Sequence, residues 1–311
     1  MSTSVLHPTL YTPATTPVGK IIDLVNGFAN RDKNAAVYRV VLCTEDSIRE
    51  DDVPGALQTI RTVLAALNPD SGVTVYIRVR NPDVLAQVLD MPWVDRLRGF
   101  VVPKADPQGF PLYAEQLVGT DFAVMPILES EHMMDRGFRD SLRSVLTDLR
   151  YRSAIDCLRI GANDLMGHLG IRRDDMQFTI YDTPVGQTIF AIVNEFRGLG
   201  HFTITAPVFE CHAPEFDDLL RREVRQHMMN GLFGQTVIHP RHIRIIRDLY
   251  KVPVKDLESA IGILGSDAAV SGVHGKMDER ATHLKWAELI AERNRLFGDS
   301  SSSRTLTELV K

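Results

Sequence analysis

Eight short apolar runs recur along the chain, at 9–13, 37–43, 73–79, 99–103, 122–128, 157–161, 202–206 and 236–239. They are rich in β-branched residues, and none alternates apolar with polar, the pattern expected of strands covered on both faces. Helical signals fill the gaps. Asn81-Pro82-Asp83 places a cap and a first-turn proline ahead of Val84, Leu85, Val88 and Leu89. Thr183-Pro184 does the same before Ile189, Ile192, Val193 and Phe196, and Gly198 and Gly200 punctuate the end. The stretch 132–152 carries Met133, Phe138, Leu142, Val145 and Leu149 at three- to four-residue spacing, the pattern of one long helix packed on a sheet. Eight strand–helix repeats without a break in composition predict an α/β fold, a TIM (β/α)8 barrel over residues 1–245. Beyond it the pattern turns wholly helical, at 244–250, 255–265 and 279–297, with a Gly/Ser-rich loop at 265–275. Residues 246–298 are therefore expected to form a helical extension packed on the barrel or on a neighbouring subunit, and 299–311 a frayed tail.

A chain of 311 residues, 44% hydrophobic, can bury a core of this size. Its net charge of −5 gives no basic footprint for nucleic acid. No apolar run approaches the roughly 18 residues of a membrane span, and no leader segment is visible. Three cysteines without metal-like spacing suit a reducing compartment, so a cytoplasmic protein is expected.

In a parallel barrel the chemistry gathers at the C-terminal ends of the strands. The polar residues there are Glu45 and Asp46 after the second run, Arg78 or Arg80 at the third, and Lys104 after the fourth. Glu129 follows the fifth run, Asp164 the sixth, and His239 ends the eighth. Glu129 and Asp164 end adjacent strands, which lie about 5 Å apart, so the two carboxylates can share one divalent cation. An all-oxygen pair suits Mg²⁺, or Mn²⁺, better than Zn²⁺. Arg78 and Arg80 alternate, and Asn81-Pro82 puts Arg80 in the turn, so Arg78 is the one expected to face inward. There it would meet charge developing on a substrate oxygen as a bond beside a carbonyl breaks. Gly161-Ala162 forms a small-residue turn whose N–H groups could approach a carboxylate. Each residue also has a plain structural reading. Lone strand-end acids cap helices, Lys104 could pair with a local acid, and His239 could bond a backbone carbonyl.

With these residues in view, the chain resembles the HpcH/HpaI aldolase–citrate lyase superfamily, and within it the citrate lyase β-subunit-like branch. The resemblance is carried in order by Cys43-Thr-Glu-Asp-Ser-Ile48, Tyr76-Ile-Arg-Val-Arg-Asn81, Phe100-Val-Val-Pro-Lys104 and Pro126-Ile-Leu-Glu-Ser130. It continues through Gly161-Ala-Asn-Asp-Leu165, Gly234-Gln-Thr-Val-Ile-His-Pro240 and Gly275-Lys-Met-Asp278. It implies a Mg²⁺ site at Glu129 and Asp164, with Arg78 on the substrate oxygen. It further implies proton transfer by Asp278, reached across a subunit interface of a trimer or hexamer. Its reactions are aldol or Claisen cleavages and condensations of oxo or hydroxy acids, often as coenzyme A thioesters. Four features depart from the pattern, two of them being Cys43-Thr44-Glu45-Asp46 where the family has Asp-Leu-Glu-Asp and the shortened motif that ends at Asp278. Pro8–Ala14 lacks the family's first-strand Arg, which helps hold the thioester's nucleotide, and Gln235 replaces a Lys.

Three readings stand open at this point. One is a Mg²⁺-dependent carbon–carbon lyase of a small oxo or hydroxy acid, with Arg78, Glu45 and Asp278 in catalytic roles. In it Asp46, Lys104, Gly161 and Ala162 line the substrate. The second is a lyase of an acyl-coenzyme A. The third is a non-catalytic acid-binding or scaffold protein.

Overall fold

The computed structural model describes residues 3–28, 30, 32–173, 176–265, 270–273 and 276–300. The chain divides into two compact units, 1–244 and 245–311. In the first, eight strands run in parallel: β1 (Thr9–Pro13), β2 (Arg39–Cys43), β3 (Thr74–Arg78), β4 (Gly99–Val102), β5 (Ala123–Leu128), β6 (Leu158–Ile160), β7 (Ile204–Thr205) and β8 (Thr236–Val237). Each pairs with its sequence neighbour from β1 through to β7, and β8 returns to pair with β1. The ring closes between β7 and β8 at one bridge, Thr205 to Phe233. There the Ala206 N–H donates to the Phe233 carbonyl at 2.7 Å, and the Thr236 N–H to the Ala206 carbonyl at 3.1 Å. The barrel is the one that the eight runs predict, and every strand falls within its run.

Register decides which side chains fill the interior. Arg39 lies opposite Thr9 and Thr74; Val41 opposite Tyr11 and Tyr76; Cys43 opposite Pro13 and Arg78. A layer of Val41, Tyr76, Val101, Met125 and Cys157, with Tyr11 against it, forms an apolar plug in the barrel. Arg39 enters this plug fully buried, and its charge is balanced by the equally buried Asp156 at 3.0 Å. The Tyr76 hydroxyl donates to the same carboxylate at 2.8 Å. A buried ion pair gains from added hydrogen bonds, and here the Tyr76 phenol also accepts from Arg39 Nη2 at 3.1 Å.

Two expectations need correction. The stretch 132–152 is not one helix but a 3-10 turn (Glu131–Met134), a helix (Arg136–Leu146) and a second, four-residue helix (Leu149–Arg152). Asp135 and Asp148 break it, because each carboxylate accepts a backbone N–H two or three residues on and so starts a new helix. Leu149 lies 89% exposed outside the apolar stripe. The second unit, moreover, is not wholly helical. Between the helices Val254–Gly265 and Arg280–Phe297 runs an antiparallel pair, β9 (Val270–Val273) and β10 (Lys276–Glu279), where a loop is expected. Valines at 270 and 273 favour extended chain, and the Gly/Ser content around them masks that preference. The two helices pack through Leu257, Ala260, Ile263, Ala287 and Ile290. Among the described residues, no helix is long and apolar enough to cross a membrane.

Candidate active site

The C-terminal mouth of the barrel opens into a cavity of about 670 Å³, walled by Tyr11, Arg78, Glu129, Arg159, Asp164 and His168, among others. Glu129 follows directly on β5 and is 2% exposed. Asp164 stands in the first turn of the helix Ala162–His168, which leaves β6 at Gly161. Both carboxylates reach the same space because Gly161 has no side chain. A Cβ there would fall onto the Glu129 carboxylate and its Cβ. The N–H of Gly161 donates to the Leu128 carbonyl at 3.1 Å, so its contribution is room for Glu129. Ala162 is buried beneath the helix start.

The chain bends at Lys104 to meet this pair. Lys104 adopts φ +47°, a left-handed conformation that costs a residue with a Cβ about 1 kcal/mol or more. In it the backbone N–H donates to Glu129 Oε1 at 2.8 Å. That bond and the charge of Arg78 draw Glu129 towards ionisation, but burial and the facing Asp164 charge outweigh them. The carboxyl is pushed up to about 8. A buried acid set against a second acid, with a backbone donor from Lys104, has the character of a cation site. No group of three or more His, Cys, Asp or Glu side chains with metal-binding geometry occurs among the described residues. The carboxylate pair itself is an all-oxygen donor set, which suits Mg²⁺, an ion that keeps several waters and takes one or two carboxylates.

Arg78 ends β3 and faces the cavity. Its guanidinium is held from behind by Glu45 Oε2 at 3.1 Å and by Cys43 Sγ at 3.0 Å. Arg80 points the other way and clamps the carbonyls of Thr44, Glu45 and Ile48. Glu45 is 4% exposed, and its oxygens are taken by Arg78, by Lys104 Nζ at 2.8 Å and by the Asp46 N–H at 2.7 Å. Lys104 Nζ also meets Asp46 at 3.2 Å. Glu45, Arg80 and Lys104 line a second recess of about 440 Å³, while Asp46 borders both spaces. His239 is not among the groups walling the larger cavity. Its ring stacks on His212 at 5.0 Å, and its Nδ1 accepts the Arg241 N–H at 3.3 Å. Asp278 lies on β10 opposite Ser271 in the second unit, and its side chain falls outside the described residues.

Several cavity residues, Arg159 among them, are missing from the sequence-based set. Arg159, 1% exposed on β6, sits two residues before Gly161 and so on the same face. Its position was readable as an arginine inside an otherwise apolar strand, sharing parity with a glycine at the strand end.

A family of carbon–carbon bond lyases of the TIM-barrel fold matches residues 1–299. A comparison with curated proteins finds no match. Among solved structures, CitE of Mycobacterium tuberculosis, in complex with magnesium, acetoacetate and coenzyme A, is similar at 20% identity and TM-score 0.63. That similarity covers 93% of this chain and 98% of the other. The citrate lyase β-subunit of the same organism, complexed with oxaloacetate and magnesium, is 19% identical with TM-score 0.55, over 80% and 99% of the two chains. A citrate lyase of Burkholderia xenovorans LB400 reaches TM-score 0.69 at 14% identity, over 95% and 93%. The barrel, its strand-end acids and the match along nearly the whole chain lead to one assignment: the protein belongs to the family of carbon–carbon bond lyases of the TIM-barrel fold.

Proposed function

We propose that the protein cleaves, or in reverse forms, a carbon–carbon bond beside the carbonyl of a small oxo or hydroxy acid with the help of Mg²⁺. The observation that carries this reading is the pair Glu129 and Asp164, closed over Gly161 on one wall of a cavity that also presents Arg78. Glu129 and Asp164 would hold Mg²⁺ or Mn²⁺, whose chemistry there is Lewis-acid polarisation of a carbonyl next to a carboxylate. Arg78 supplies a fixed positive charge to the oxygen on which negative charge develops as the bond breaks. Glu45 keeps that guanidinium aimed, since Arg78, Lys104 and a backbone N–H already occupy its oxygens. Proton transfer falls to Asp278 or Glu45, the resemblance implying that Asp278 is reached across the interface of a trimeric or hexameric assembly. Magnesium accompanies acetoacetate or oxaloacetate in the M. tuberculosis structures, which supports the reading. A free acid is favoured over a coenzyme A thioester because the segment Pro8–Ala14 carries no Arg.

The test is calorimetric titration of Mg²⁺, then oxaloacetate or pyruvate, into the wild type and Asp164→Asn. Binding of the acid that needs Mg²⁺ and is lost in the variant is expected. Acid binding indifferent to Mg²⁺, or unchanged in the variant, overturns the proposal.

A further inference from the structure

Two guanidiniums are built into the barrel interior, and they are not equivalent. Arg39 has its counter-ion in Asp156. Arg159, equally buried, meets no acid among the described residues. Its Nη2 donates to Thr236 Oγ1 at 2.6 Å and to the Gly234 carbonyl at 3.4 Å, and its Nη1 to Thr9 Oγ1 at 3.4 Å. Its Nε is buried with no partner. The Tyr11 ring lies 5.3 Å from the Arg159 guanidinium carbon and 5.7 Å from that of Arg78, so one ring borders both cations. The Tyr11 hydroxyl is likewise buried without a partner. A buried charge lacking a counter-charge costs several kcal/mol, and neutral hydroxyls offset only part of that. Unlike Arg39, however, Arg159 forms part of the cavity wall. The cavity can therefore deliver the missing anion.

We propose that Arg159 is a specificity-determining residue that receives a second acidic group of the substrate, at the opposite end from the carbonyl addressed by Arg78. The substrate class is then a dianionic oxo or hydroxy acid, either a dicarboxylate or an acid with a carboxylate and a phosphoryl group. The planar guanidinium, whose Nε is not taken by a protein acceptor, suits paired acceptor oxygens of this kind. Threonines at 9 and 236 hold the fork in place and leave its charge unneutralised. This inference rests on the reading of Glu129, Asp164 and Arg78 as the oxo-acid site. It adds a second anchor to that site.

The experiment compares three probes in saturating Mg²⁺: pyruvate with one anionic group, oxaloacetate with a second carboxylate, and phosphonopyruvate with a phosphoryl group. Affinities are measured calorimetrically for the wild type, Arg159→Met and Arg159→Lys. In the wild type at least one dianionic acid should bind ten-fold or more tighter than pyruvate, and the better of the two identifies the second group. Arg159→Met should lose on the order of 10²-fold for that acid while pyruvate affinity stays within a factor of about three. Arg159→Lys, with a point charge in place of the fork, should fall between. Equal binding of all three probes by the wild type overturns the proposal, and so does a folded Arg159→Met that keeps the preference. If neither variant folds, the preference within the wild type decides alone. Absence of any Mg²⁺-dependent acid binding by the wild type is a different failure, which removes the oxo-acid reading itself and the second anchor with it.

Discussion

Binding Mg²⁺ to this protein should expel a proton, and the size of the effect follows from the surroundings of Glu129. The carboxyl is pushed up from 4.5 to about 8, first by burial and then by the charge of Asp164. A metal requires the ionised form, so the proton must leave as the cation enters. For a group titrating near 8, about 0.9 proton should be released per Mg²⁺ at pH 7 and about 0.1 at pH 9. Below pH 8 the apparent Mg²⁺ affinity should fall about ten-fold per pH unit. The assay is calorimetry at fixed pH in buffers of different ionisation enthalpy, where the slope of observed heat against that enthalpy counts protons. Glu129→Gln should abolish the release. Stability carries the same signature. The fold retains this proton where the unfolded chain has lost it, so the contribution is full below about 4.5 and disappears as pH rises through about 8. The interval from 4.5 to about 8, at about 1.36 kcal/mol per pH unit, sets a ceiling near 5 kcal/mol for the metal-free protein. Mg²⁺ should flatten that decline. Proton release near zero at pH 7, with intact Mg²⁺ binding, would refute the account of Glu129.

Two further outcomes follow from the same wall of the cavity. Gly161→Ala places a methyl group on the Glu129 carboxylate. It should weaken Mg²⁺ binding by two orders of magnitude or more at a stability cost of about 1–3 kcal/mol, readable by titration and urea melts. Glu45→Ala strips Arg78 and Lys104 of their shared counter-ion. It should cost about 3 kcal/mol in stability, and turnover should fall while Mg²⁺ affinity holds, measured by melts and by titration.

Much of this was legible in the sequence, for a reason that also sets the limit. Strands buried on both faces announce themselves as unbroken apolar runs, so all eight were found, and their ends delivered Glu129, Asp164 and Arg78 to one cavity. The same lack of alternation hides which side chains point inward. Arg39 and Arg159 are therefore absent from the sequence-based candidates, although register makes both interior. Lys104 is readable as a strand-end cation, but its left-handed turn, which aims the backbone at Glu129, has no sequence signal. The break at Asp135 and Asp148 was masked by apolar spacing that continues across both acids. The antiparallel pair was hidden by the Gly/Ser content around its two valines.

The closure between β7 and β8 bears on how the barrel breathes. Most strand pairs from β1 to β5 share four or five residue pairs, whereas β7 and β8 contribute two residues each and meet at one bridge. Local opening draws on the least-bonded part of a fold, so backbone amides around 204–206 and 233–237 should exchange with deuterium ahead of those in β2 to β5. Arg159 on β6 bonds Thr236 and Gly234, which makes it an interior cross-tie beneath this seam. An anion gripped by Arg159 would thus slow amide exchange on two strands at once. Occupancy of the cavity could then be followed from the barrel's seam, with no turnover required.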